Sequence, residues 1–172
     1  NFRVILLVII VIIFTICGVY YSVQSFEANS LIETYEVGDV EIIQNTTAGT
    51  VPHVILVKNK GKQPLMVKTG QILTSNTSQD LVVAEDKWIT QNSSSYIRAY
   101  CFEPNQTAKT GTKLIPTEIA SSEIQQIITD SNLADRQNTT KAQLEIWIIV
   151  TGNKINVESG EAATLMDKNG MN

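Results

Sequence analysis

Val4–Ile13 is an unbroken aliphatic run (VILLVIIVII), and no charged side chain occurs between Val4 and Phe26. At 1.5 Å of rise per residue, a helix of about 20 such residues matches the hydrocarbon thickness of a bilayer, and its surface must be sheltered by lipid or protein. Arg3 precedes the run, whereas Glu27, Glu33, Glu36, Asp39 and Glu41 follow it. That asymmetry predicts an N-terminus inside and the bulk of the chain outside. A cleavable signal is the alternative, but the run is long for one and ends in Tyr20-Tyr21 rather than a small-x-small site.

Past Tyr21, the residues Val23, Phe26, Ser30, Leu31 and Tyr35 recur near helical spacing, and neither proline nor glycine interrupts Val19–Val37. The pattern predicts one helix of about 30 residues, wholly apolar first and amphipathic later. This two-part helix resembles the N-terminal stalk of type IV pilin-like filament subunits, although Ile5 stands where many of them carry glutamate. The resemblance implies assembly with copies of the same chain through Val4, Leu7, Val8, Val11, Ile12, Phe14, Val19 and Phe26. It also implies a stay in the membrane before assembly. A single-pass membrane anchor is the other reading of the same helix.

The remainder reads as short strands with turn chemistry between them. His53–Lys58, Pro64–Lys68, Gln71–Leu73, Leu81–Ala84, Lys87–Thr90 and Ser95–Phe102 are β-rich and separated by signals such as Asn59-Lys60-Gly61 and Thr69-Gly70. Glu118–Thr129 has Ala120, Ile124, Ile127 and Ile128 on one helical face, with Thr117 as its N-cap. Ala142–Thr151 fits either a buried strand or a helix, and Ile155–Val157 a last strand. The expected fold is α+β, mainly β: a hydrophobic helix over residues 1–34, then an antiparallel β-sandwich head over 35–172 with one short helix.

Composition narrows the function. The 172 residues carry 13 Lys+Arg against 17 Asp+Glu, a net charge of −4 with no basic stripe, so no nucleic-acid partner is expected. One histidine and two cysteines leave little for a zinc site, and no metal or cofactor is expected. Cys17 and Cys101 fall in distant segments, so no disulfide between them is expected. Asn45, Asn76, Asn92, Asn105 and Asn138 each begin an Asn-x-Ser/Thr acceptor pattern, which agrees with an exported, N-glycosylated head.

Two patches carry a candidate chemistry: Ala99-Tyr100-Cys101-Phe102 and Ala142-Gln143-Leu144-Glu145-Ile146-Trp147. They resemble the thioester domains of bacterial surface adhesins, with Ala142 and Glu145 departing from that pattern. The resemblance implies that Cys101 Sγ attacks the Gln143 carboxamide and expels ammonia, leaving an internal thioester. The plain reading makes Cys101 a small buried hydrophobe and Trp147 a core aromatic. His53 opens an aliphatic strand with no Cys or His neighbour in sequence, the setting of a hydrogen-bonded sheet histidine; a His53–Cys101 dyad would need the fold to unite them. Glu85-Asp86 reads as a solvated turn, with calcium the alternative. No phosphate loop, nucleophile elbow or His-Glu-x-x-His occurs, so no catalytic residue and no enzyme are expected. The expectation is a structural subunit of an extracellular, cell-surface filament, or alternatively a membrane-anchored adhesin with the Cys101–Gln143 bond.

Overall fold

The computed structural model describes residues 6, 8–16 and 28–170. The chain enters with β1 (Asn29–Ser30), then α1 (Leu31–Glu36), whose start is fixed by a capping box between Ser30 and Glu33. Seven strands follow: β2 (Val40–Gln44), β3 (His53–Asn59), β4 (Leu65–Val67), β5 (Gln71–Thr74), β6 (Leu81–Val83), β7 (Lys87–Ile89) and β8 (Ser93–Cys101). After them come β9 (Lys113–Ile119) and the helices α2 (Ser122–Asp130), α3 (Arg136–Thr151) and α4 (Gly160–Lys168).

Six strands close an antiparallel barrel in the order β2-β3-β8-β6-β5-β9, the last pairing back onto β2. A barrel this small is filled by its own side chains. The alternation in β2 and β3 supplies that filling: Val40, Ile42, Ile55 and Val57 point inward with Leu73, Leu81, Val83, Ile97, Ala99 and Leu114. A second small sheet, β1-β4-β7, adds Leu65, Val67 and Ile89 to the same core, and α1 adds Leu31. The outer face of β5, β6 and β8 is also covered. Ile72, Val82 and Tyr100 pack under Ala120, Ile124 and Ile128 and under Ala142 and Ile146 of α3. This double burial explains why Leu81-Val82-Val83 is apolar at every position.

Several expectations are corrected here. The head is a closed barrel with helices on one side, not a β-sandwich, because β9 pairs with both β2 and β5 and leaves no open edges between them. The long N-terminal helix does not run on to residue 34: Asn29–Ser30 pairs in parallel with Leu65–Met66, and Ser30 caps a new helix. Of the assembly residues, Val8, Val11, Ile12 and Phe14 lie in the helical stretch 8–16 and are each at least half exposed. Val4, Leu7, Val19 and Phe26 lie outside the described residues. Among the described residues, no helix is long and apolar enough to cross a membrane. Thr117 is in β9 and the α2 cap is Ser121, whose side chain accepts from Ile124 N; Ala142–Thr151 is helical; Ile155–Val157 is a linker, and α4 follows it.

Glu85-Asp86 is no cation loop. Glu85 accepts from Arg98 N (2.9 Å), Nε (3.0 Å) and Nη2 (2.6 Å), and Asp86 Oδ1 accepts from Thr69 N (2.7 Å). The Arg98 guanidinium holds the Glu85 carboxyl below the usual carboxylate range. A depressed folded value contributes stability above the unfolded value of about 4.3, and that stability is lost as pH falls through the folded value. With both side chains partly exposed, Glu85→Gln should cost only about 0.5–1 kcal/mol at pH 7. Melting curves of the two proteins should converge as the pH is lowered from 6 to 3. Ile97→Ala, at a fully buried position, should cost about 2–5 kcal/mol in urea unfolding.

Candidate functional site

The inward stripe of the barrel turns polar at one end. In β2, Val40 and Ile42 are followed by Gln44; in β3, Val57 and Ile55 lead back to His53; in β8, Ile97 and Ala99 lead to Cys101. The β5–β6 loop adds Gln79, α3 adds Gln143 and α4 adds Glu161. Gln44, His53, Gln79, Cys101 and Gln143 are fully buried, and Glu161 is 1% exposed. Buried polar groups at this density must satisfy one another.

Glu161 is the hub. Its Oε1 lies 3.0 Å from His53 Nε2 and accepts from Gly49 N, while Oε2 accepts from Ala108 N at 3.4 Å. On the other side of the imidazole, Nδ1 is 2.9 Å from Thr46 Oγ1 and 3.2 Å from Gln44 Nε2. Gln79 bridges the histidine to the cysteine: its Nε2 is 2.9 Å from His53 Nε2 and its Oε1 is 2.9 Å from Cys101 Sγ. Sγ is also 3.0 Å from the Glu103 carbonyl. One imidazole nitrogen cannot donate to Glu161 and accept from Gln79 at once. With its hydrogen directed to Glu161, the Gln79 carboxamide turned end for end offers oxygen to the imidazole and its NH₂ to the sulfur. The thiol hydrogen then goes to the Glu103 carbonyl.

Gln143 is tied to Cys101, but through the backbone. Its Oε1 accepts from Cys101 N (2.8 Å) and its Nε2 donates to Cys101 O (2.7 Å), so the carboxamide acts as one more strand pairing with the end of β8. The two residues expected to react are therefore brought together, while Sγ faces Gln79 and Glu103. Burial pushes the Cys101 thiol well up, the nearby Glu161 charge adds to this, and the Trp147 indole and the Glu103 backbone act the other way. A thiol held neutral in this way is a poor nucleophile. Gln79 and Glu161 were not legible as site residues; both sit in polar stretches that carry no recognisable motif.

Among the described residues, no three His, Cys, Asp or Glu side chains converge as metal ligands would. Asn45, Asn76, Asn92 and Asn105 are exposed in turns or loops; Asn138 is half-buried in the first turn of α3, where its Oδ1 accepts from Asn132 N (2.7 Å).

A separate open groove of ≈ 650 Å³ runs between α2 and α3. Ile127, Ile148 and Ile149 form its apolar floor, and Glu123, Asp130 and Glu145 its acidic walls. Lys141, its single basic residue, lies 3.6 Å from the Glu145 carboxylate.

The molecule is thus a small helix-braced barrel with a sealed polar centre at one end and an acidic groove on its helical side. Residues 9–167 match the sequence profile of the family described as ARPP-1, the ARG and Rhodanese-Phosphatase-superfamily-associated Protein domain. The chain belongs to that family. No curated protein and no solved structure matches it. The family assignment overturns the likeness to pilins and to thioester adhesins, and with it the filament subunit, the adhesin and the glycoprotein surface. The extracellular, membrane-inserted placement is corrected as well: among the described residues no helix is long and apolar enough to cross a membrane.

The geometry predicts the behaviour of the cysteine. In a Cys17→Ser chain, Cys101 should react with an aromatic disulfide at least about a hundredfold more slowly when folded than when unfolded. The intact mass should show no loss of the roughly 17 Da that ammonia expulsion requires.

Proposed function

We propose that the chain is an accessory interaction domain that acts by binding and not by turnover, and that the α2–α3 groove is its docking surface. The supporting observation is the groove itself, an apolar floor of three isoleucines between three carboxylates, with Ile148 42% exposed. Its charge calls for a basic amphipathic segment, seated as an amphipathic helix seats in a hydrophobic groove. The one lysine there is already drawn to Glu145, so the walls remain acidic toward a ligand. The family description names the rhodanese-phosphatase superfamily as what this domain is associated with, and a protein of that superfamily is the partner proposed. The residues that could support catalysis are sealed from solvent, which favours binding over chemistry.

Titration calorimetry of the purified chain with a rhodanese-phosphatase-superfamily protein tests this. Binding should weaken with added salt, and Ile148→Glu should reduce it at least about tenfold because the floor is where a central anchor would sit. Far-UV circular dichroism of the variant should be unchanged, since Ile148 lies outside the packed core. Absence of binding, or binding indifferent to Ile148→Glu, would overturn the proposal.

A further inference from the structure

The sealed centre is closed by one element. α4 follows the linker Gly152–Ser159, exposed except for the half-buried Ile155, and lies over the thiol: Ala162 and Leu165, with Trp147, cluster with Cys101. Beyond the burial of Ala162 and Leu165, it is held by a small set of polar contacts to the barrel and to α3. Glu161 N and Ala162 N donate to the Pro104 carbonyl at 2.9 and 3.2 Å. The Glu161 carboxylate reaches His53, Gly49 N and Ala108 N. Lys168 Nζ donates to the Ala48 carbonyl, and Arg136 Nη2 to Asn169 Oδ1 at 2.9 Å. Gly160 (φ +68°) permits the approach, because a Cβ there would lie 2.5 Å from the backbone of Pro104 and Asn105. Gly49 does the same on the other side, where a Cβ would meet Thr164 and Lys168 at 2.8 Å.

Two buried polar atoms of the centre are unpaired, Gln44 Oε1 beside His53 and the Trp147 indole nitrogen in the cluster around Cys101. The indole N–H of Trp147 is buried with no hydrogen-bond acceptor, and Cys101 is the group it influences. An orphan donor beside a sulfur is costly next to a neutral thiol and favourable next to a sulfur anion.

We propose that α4 is a releasable strap over Cys101, and that its lifting opens the thiol to exchange with low-molecular-weight disulfides. The Cys101 thiolate attacks one sulfur of the disulfide; a new S–S bond joins Cys101 to that half, and the old S–S bond breaks. The departing thiolate takes up a proton equivalent to the one Cys101 lost, so electrons and protons balance. Lifting α4 removes two things that hold the thiol neutral: part of its burial, and the Glu161 carboxylate. The Trp147 N–H and the Gln79 carboxamide remain in place as donors to the anion.

The test uses the full chain carrying Cys17→Ser, labelled with glutathione disulfide across a urea series below the unfolding transition, with the adduct mapped by mass spectrometry. If α4 lifts alone, the labelling rate rises with urea at a small fraction of the slope of global unfolding, since only a helix of nine residues is exposed. Lys168→Ala and Glu161→Ala should then each accelerate labelling without urea, the latter at least about tenfold. A urea slope equal to that of global unfolding would overturn the proposal. So would a local slope indifferent to both substitutions, or labelling of the docked chain as fast as of a free thiol.

Discussion

A carboxylate and an imidazole, 108 residues apart in sequence and both removed from water, meet at 3.0 Å in the floor of this barrel. Burying the carboxylate alone would cost several kcal/mol. Together, and with Gly49 N and Ala108 N turned toward the same carboxylate, they form a site in which few lone pairs go unused. The arrangement requires β3, the turn before it, the segment after β8 and the start of α4 to be in place at once. Closure of that end of the barrel is therefore a property of the polar contact, whereas the opposite end is closed by apolar packing of Leu31, Leu65 and Ile89.

α3 joins the two features that matter for function. Thr139, Ala142, Gln143, Ile146 and Trp147 face the interior, while Glu145, Ile148 and Ile149 face the groove. A ligand pressing on the groove therefore leans on the helix that carries the indole and the carboxamide touching Cys101. The groove and the surroundings of the thiol therefore share one helix, whereas the cover over the thiol is α4.

Much of the strand pattern was legible. β3, β5, β6 and β8 fall where apolar patterning and turn residues placed them, because each buries apolar side chains on at least one face. Closure was not legible, since β9 begins in a polar stretch and carries Pro116, and its pairing to both β2 and β5 depends on registers that no local signal encodes. α3 was ambiguous for a specific reason. Positions 139, 142, 143, 146 and 147 have helical spacing, but two of them are Thr and Gln, and a hydrophobicity pattern discards polar residues that are buried in hydrogen bonds. α4 was missed on the same ground, as one of its three buried residues is a glutamate. Cys101 and Gln143 were paired only through a resemblance that the family assignment overturns, and the bonds between them run through the backbone of β8 rather than the sulfur.

The placement of Cys101 sets apart two uses of a buried cysteine. A purely structural one would be surrounded by carbon, and its loss would be felt only as a cavity. Here the sulfur lies between a carboxamide, a backbone carbonyl and a tryptophan whose N–H has no other acceptor. Such an orphan donor stabilises nothing while the thiol is neutral, so the local chemistry favours a state of the sulfur that the closed structure disfavours. The difference between those states is carried by α4, through its cover and its carboxylate. The centre is for that reason more than a filled end of a barrel: the indole N–H finds an acceptor only when the sulfur takes what it offers.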